Sequence, residues 1–241
     1  MAIELKNVEG MSKAVYAIAS FISEGNFRFS DDGISFKATD PSQIVLVNFS
    51  MAKKVFEKYS VEPNFVGVDI VELSKILSRA LPADKLTLDL TDSEMKINLA
   101  GAISRSFSLP LIDVNDEDVS IPKTTFDASV EINARILKEA LKDASLFGSS
   151  VVLRVKDNQL FIEARGSTGT LKTVASQTKQ IVVNSKTEVV SKYSLNFLQN
   201  IVREADPDKK ITLELKSDTP MRISYKIGVS PIEFHLAHMI L

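Results

Sequence analysis

Apolar positions fall at helical spacing in four windows and alternate between them. Met11, Val15, Ile18 and Phe21 predict a helix over 9–22, and Leu73, Ile76 and Leu77 one over 71–80. Leu137, Leu141 and Ala144 predict a third over 134–146, and Leu198, Ile201 and Val202 a fourth over 195–205. Strands are read from period-two patterns. Phe27 and Phe29, then Ile34 and Phe36, flank Asp31-Asp32-Gly33; Leu153 and Val155, then Leu160 and Ile162, flank Asp157-Asn158-Gln159. Each polar triplet is a tight hairpin signal. Leu86, Leu88 and Leu90 alternate, as do Ile211, Leu213 and Leu215, and further strands are expected over 95–101 and 221–228.

These elements recur. "ALPADKLTLDL" (80–90) and "ADPDKKITLEL" (205–215) share six of eleven positions at an offset of 125, and the hairpins match at 126. Helix, turn and strands repeat in the same order, which predicts two similar domains. Each reads as two copies of a strand–helix–strand–strand–strand unit, an α+β fold. Between them "LIDVNDEDVSIPKTTF" (111–126) carries Asp113, Asp116, Glu117, Asp118 and Pro122, the marks of an exposed connector. The expected boundaries are 1–112, a connector over 113–126, and 127–241.

Composition narrows the function. The 241 residues are 44% apolar and 25% charged, with a net charge of −2, which excludes a globally basic nucleic-acid binder. There is no Cys, hence no disulfide, thiolate metal site or cysteine nucleophile. Charges at Glu4, Lys6, Glu9 and Lys13 interrupt any signal-peptide core, and no run reaches the roughly 18 apolar residues of a membrane span. The two histidines, His235 and His238, point to opposite faces of a strand. "GSTGT" (166–170) lacks the lysine and helix of a phosphate loop and reads as a hairpin turn. The acidic connector lacks EF-hand spacing. No catalytic constellation, metal or cofactor is expected.

The polar helix faces carry the remaining chemistry. Arg135, Lys138 and Lys142 share one face; Lys75 and Arg79 are four apart; Lys13 shares a side with Ala17 and Ser20; Arg203 stands beside Asn196, Gln199 and Asn200. Seven cations face five acids: Glu9, Glu72, Glu139, Asp143 and Glu204. A solvated face is the plain reading. The functional one is a basic lining with acids pushed elsewhere. No aromatic residue interleaves with the cations, against single-strand stacking, and no Arg/Asn pattern opens a helix to read base edges. Sequence-independent phosphate contact remains.

"LSKIL" (73–77), "DPSQIVLVNF" (40–49), "VSIP" (119–122), "TPMRISYKIG" (219–228) and "FHLA" (234–237), in this order on a duplicated fold, resemble the archaeal and eukaryotic DNA sliding clamps, the proliferating cell nuclear antigen (PCNA) family. The resemblance implies a processivity factor: a trimeric ring around duplex DNA, helices lining the hole and antiparallel sheets outside. Helix packing agrees, since twelve helices about 9 Å apart make a circle roughly 35 Å across with about 25 Å clear. That admits a duplex roughly 20 Å wide. Eight would leave only about 15 Å.

By the same resemblance, Lys13, Lys75, Arg79, Arg135, Lys138, Lys142 and Arg203 face DNA. The ring closes by pairing "SRSFSLP" (104–110: Arg105, Phe107, Leu109) with "GTLKTVAS" (169–176: Leu171, Thr173, Val174) of a neighbour. A partner-peptide pocket is implied at Gln43, Ile44, Leu46, Val119, Ile121, Pro220, His235, Leu236 and Ala237. The implied partners are sequence-independent duplex DNA, two further clamp subunits in a homo- or heterotrimer, DNA polymerase, flap endonuclease, DNA ligase and the clamp loader, replication factor C, with no membrane. The resemblance also implies an intracellular location, cytoplasmic or nucleoid-associated if the chain is archaeal. The chain departs from the family's usual ending: His238 stands where Pro is common, and "MIL" follows in place of charged residues. A specialised or heterotrimeric clamp subunit, or a non-DNA scaffold of the same fold, is the alternative.

Overall fold

The computed structural model describes residues 2–115 and 119–241. Asp116, Glu117 and Asp118, three of the four connector acids, lie outside the described residues. The chain divides into two compact units. One comprises Ser42–Leu46, Ser120–Lys226 and Glu233–Leu241, and the other the remaining described residues.

The N-terminal half runs β1 (Ala2–Leu5), α1 (Glu9–Ala19), β2 (Glu24–Ser30), β3 (Gly33–Thr39), β4 (Val45–Ala52), β5 (Lys58–Ser60), β6 (Asn64–Asp69), α2 (Ile70–Leu77), β7 (Lys85–Leu90), β8 (Glu94–Ala100) and β9 (Ser104–Pro110). The C-terminal half repeats it: β10 (Ala128–Asn133), α3 (Ala134–Ser145), β11 (Ser150–Lys156), β12 (Gln159–Gly166), β13 (Gly169–Ser176), β14 (Ile181–Ser185), β15 (Val189–Ser194), α4 (Leu195–Val202), β16 (Lys210–Leu215), β17 (Met221–Ile227) and β18 (Ser230–Leu236). The expected strand–helix–strand–strand–strand unit therefore occurs four times. The short β5 and β14 are additions that the sequence pattern did not reveal.

In the first half the strands are ordered β5-β1-β7-β8-β9 and β4-β3-β2-β6; in the second, β14-β10-β16-β17-β18 and β13-β12-β11-β15. Each repeat lends its first strand to the other. Thus β1 leaves β2–β4 and pairs antiparallel with β7, Ala2 opposite Asp89 and Leu5 opposite Leu86. In return β6 pairs with β2, Glu24 opposite Asp69. The same exchange sets β10 against β16 and β15 against β11. One face of each sheet is apolar because side chains alternate along a strand. Leu86, Leu88 and Leu90 are buried, as are Ile211, Leu213 and Leu215. Each such side chain contributes about 1.5–3 kcal/mol on burial.

Against these faces pack α1 with α2, and α3 with α4. The helices are shorter than their apolar patterns. Beyond Leu77 the chain tightens into i→i−3 bonds, from Arg79 N–H to the Ile76 carbonyl (3.0 Å) and from Ala80 N–H to that of Leu77 (3.1 Å). Ala205 N–H bonds the Val202 carbonyl (3.2 Å) in the same way, with Pro207 following. Arg79 and Arg203 therefore sit on terminal turns. The hairpins differ in detail. Asp157 and Asn158 both have positive φ (50° and 56°), a two-residue turn that matches strand twist. Gly33 has φ 139°, and a Cβ there would lie 2.1 Å from the Met51 carbonyl oxygen.

Candidate functional site

Three groups of expected site residues occupy three kinds of position. The first is the outer face of the helices. On α1 the buried side is Met11, Ala14, Val15, Ala17 and Ile18, leaving Glu9, Lys13 and Tyr16 outward. Two expectations are corrected here. Ala17 is buried, because four apolar neighbours on α1 turn it into the core. Tyr16, 43% exposed and three residues from Lys13, does place an aromatic ring beside a cation.

Nor are acids pushed elsewhere. Lys13 Nζ lies 2.6 Å from Glu9, Lys75 Nζ 2.6 Å from Glu72, and Lys142 Nζ 2.7 Å from Glu139. Arg135 pairs with Asp208 at 2.8 Å, and Arg203 with Glu204 at 3.4 Å. Hydrogen bonding to Glu72 raises the Lys75 pKa, and bonding to Asp208 raises that of Arg135. Except for the half-buried Glu204, these partners are solvent-exposed and the pairs contribute little, so an incoming phosphate competes for the same cations. Arg79 is exposed and has no acidic partner among the described residues.

Lys138 is different. Its ammonium donates to the carbonyls of Arg203 (2.8 Å) and Ala205 (2.6 Å), just past the end of α4. A cation there satisfies terminal carbonyls and opposes the helix dipole. Gln199 on α4 returns the contact, its Nε2 donating to the Leu141 carbonyl (3.2 Å). Lys138 therefore locks α3 to α4, a task its surface spacing did not disclose.

The second group is on strand edges. β9 and β13 each pair on one side only, with β8 and β12, and each ends its sheet. Phe107, Leu171 and Thr173 are half-buried, Val174 is exposed and Leu109 is buried. Arg105 has partners on its own strand's side of the fold. Its guanidinium is taken up within its own chain, donating to the Asp84 carboxylate and the Arg79 carbonyl. The sequence reading also missed Leu81 and Leu146, both exposed. Leu146 immediately precedes Phe147, whose ring lies 2.9 Å from where a Gly169 Cβ would sit, at the start of β13. An apolar residue just beyond a helical stripe is the signal that would have found them.

The third group gathers around the last strand. Ile44 accepts a hydrogen bond from Ala237 N–H (2.9 Å), which joins the turn before β4 to the chain after β18. Gln43 is exposed in that turn with φ 57°. Pro220 and Ala237 are half-buried, and Ile121 is exposed on the connector with Val119 half-buried nearby in sequence. Leu46 and Leu236 are buried core residues that can only support a pocket from beneath. His235 is buried with Nε2 2.8 Å from Glu233 Oε1, and this bond holds the Glu233 carboxyl below the usual range. Past β18, Met239 N–H bonds the Lys192 carbonyl (2.7 Å) on β15, so the apolar ending is anchored.

Among the described residues, no cluster of acids and histidines could hold a metal ion. No helix among the described residues is long and apolar enough to cross a membrane.

The chain is similar to known proteins along its length. Residues 1–117 match the model for the N-terminal domain of proliferating cell nuclear antigen, and 120–239 that for its C-terminal domain. The DNA polymerase sliding clamp of Pyrococcus furiosus is 30% identical over 229 residues, covering 93% of this chain and 92% of the relative. That of Methanococcus vannielii is 30% identical over 238 residues, covering 96% of each. The crystal structure of PCNA from Thermococcus kodakaraensis superposes with a TM-score of 0.93 at 25% identity, over 99% of both chains. On two domain matches and a shared duplicated fold, this chain belongs to the proliferating cell nuclear antigen family.

Proposed function

We propose that the chain is a DNA polymerase sliding clamp, a processivity factor with no catalytic step of its own. The observation that carries this reading is the fourfold strand–helix–strand–strand–strand unit over a full-length match to both family domains. Three copies closing head to tail would present twelve such helices to duplex DNA, with domains over 1–112 and 127–241 joined by the connector 113–126. Held topologically, DNA needs only weak contacts. Half-buried Lys13 and exposed Lys75, Arg135, Lys142 and Arg203 suit that role, because their ion pairs are easily exchanged for phosphates, and exposed Arg79 offers a cation with no acid to displace among the described residues. Lys138 supports them by fixing α3 against α4.

Ring closure is assigned to β9 and β13, whose unpaired edges invite antiparallel addition. Phe107, Leu109, Leu171, Thr173 and Val174 belong to that seam, with Leu81 and Leu146 beside it. Arg105 acts within its own subunit. Partner peptides are assigned to the surface formed by Gln43, Ile44, Val119, Ile121, Pro220 and Ala237, over buried Leu46, His235 and Leu236. Polymerase, flap endonuclease, ligase and the clamp loader, replication factor C, are the proposed clients, at DNA inside the cell.

Light scattering behind a sizing column tests the assembly. A mass three times 26.6 kDa, constant over micromolar concentrations, is expected for a self-sufficient ring. A monomer or dimer would require different sister chains to close it. Primer extension on singly primed circular DNA, with clamp loader and polymerase, tests the activity. Product lengths that do not increase when the chain is added would overturn the reading.

A further inference from the structure

An open groove of about 660 Å³ lies within the unit that holds β1 and β6, and none of the expected pocket or ring-closing residues lines it. One wall is the outer edge of β6. The inner edge of this strand pairs with β2. On the outer edge the Gly67 carbonyl accepts from Ile112 N–H (3.0 Å), and from the neighbouring β2 Asn26 Nδ2 donates to the Val114 carbonyl (3.1 Å). These two bonds lay the first connector residues alongside β6 and form the second wall. Backbone groups of alternate residues face the same strand edge, so the Phe65 carbonyl points outward as that of Gly67 does. Phe65 N–H is bonded to Asn64 Oδ1 (2.8 Å), while its carbonyl has no partner among the described residues.

The lining has one sign of charge. Glu62, Asp92 and Asp113 are exposed, with no ion pair among the described residues, and no Lys or Arg lines the groove. The Phe65 ring is 53% exposed at its side. Carboxylates repel an anionic ligand, and the same acids form no metal-binding cluster. What complements an open strand-edge acceptor, three carboxylates and a bare aromatic face is a planar cation on an extended backbone. A guanidinium stacks on a ring while its N–H groups donate in plane, whereas an ammonium does only the second. An extended segment also satisfies a strand edge.

We propose that this groove receives an extended, arginine-bearing segment of another protein, with an arginine stacked on Phe65 between Glu62, Asp92 and Asp113. The site rests on that one unit and does not depend on ring closure or DNA.

The probe is a capped Ala-Arg-Ala-Arg-Ala peptide, whose two arginines share one face of a strand. It is titrated into the full chain and followed by amide NMR shifts, with Ala-Lys-Ala-Lys-Ala as comparison. Shifts are expected at Asn64, Phe65, Gly67 and Val114, with the arginine peptide tighter. Phe65→Ala should weaken binding about two- to fivefold. Asp92→Asn should weaken it to a similar degree and flatten its salt dependence. Because both positions are exposed, neither change threatens folding, and unchanged thermal melting checks that. Shifts mapping elsewhere, equal affinity for the lysine peptide, or an unaltered constant in Phe65→Ala would overturn the proposal. So would full displacement of the peptide by millimolar magnesium or calcium, which would make this a cation site.

Discussion

Asp84 and Arg105 allow a sharp test of how β9 is held. The Asp84 side chain is 1% exposed and that of Arg105 19%. Asp84 Oδ2 accepts from Leu81 N–H (2.8 Å) as well as from Arg105, and Arg105 also reaches the Arg79 carbonyl. Gly101 makes room for the pair, since a Cβ there would lie 2.2 Å from Asp84 Oδ1. Arg105→Met keeps the stem but leaves a buried carboxylate with one donor. Breaking such a pair costs about 3 kcal/mol. For a chain of this size that is a fall in Tm of about 6–12 °C. Asp84→Asn alone should cost less, about 1–2 kcal/mol, because Arg105 retains some water and the Arg79 carbonyl. In the double variant the buried charge is gone, so it should be more stable than Arg105→Met alone. Urea unfolding at one fixed protein concentration measures all three, since assembly makes apparent stability concentration-dependent. A loss below 1 kcal/mol in Arg105→Met, or a double variant no better than that single one, would refute the account. Because Arg105 lies on β9, the single variant should also weaken self-association.

Other consequences follow from single contacts. Lys138→Glu should lower Tm by several degrees, since it removes the cap on α4, whereas Lys142→Glu should leave Tm nearly unchanged; differential scanning fluorimetry separates them. Lys75→Glu with Arg79→Glu should reduce polymerase stimulation at unchanged oligomer mass; normal stimulation would remove both from the DNA-facing set. The Glu233 carboxyl is held below its ordinary value of 4.5 mainly by its hydrogen bond with His235. A depressed folded pKa adds stability above pH 4.5 that is lost as pH falls through the lower folded value. Glu233→Gln should therefore flatten the stability profile below pH 4.5 in acid titrations followed by circular dichroism. Deleting Met239–Leu241 removes the bond to Lys192 and should change the affinity for a partner peptide carrying a glutamine and two aromatics; identical calorimetric titrations would show the ending to be inert.

Much of the fold was legible because period and repetition are properties of sequence. Leu153, Val155, Leu160 and Ile162 declared a hairpin by spacing, and all four are buried where Phe27, Phe29, Ile34 and Phe36 are. The bounds of β9 and β13 came with the family resemblance, which placed "SRSFSLP" and "GTLKTVAS" on edge strands, and the two strands span those residues. The strand exchange was not legible, since pairing partners are a tertiary choice among equally apolar strands. Nor was the role of Lys138 or Arg105. Both have the spacing of surface cations, and only the fold supplies the carbonyls and the buried Asp84 that recruit them. Tyr16 was overlooked for the converse reason: a single aromatic among apolar neighbours reads as core until the helix is rotated into place.

The mutual loan of β1 and β6, and of β10 and β15, bears on how such a chain can arise and fold. A lone strand–helix–strand–strand–strand segment keeps a three-stranded sheet lacking its neighbour and one orphan strand lacking a sheet. Its shortest route to completion is a second copy of itself, each inserting its leading strand into the other. One domain is thus the covalent record of a swapped pair, and the whole chain is that pair written twice. Folding inherits the constraint. β1 must wait for β7, more than eighty residues later, before its backbone is satisfied. Neither repeat can be completed first, so each domain should form in one cooperative step, and a break placed between its repeats should yield fragments that refold only when mixed.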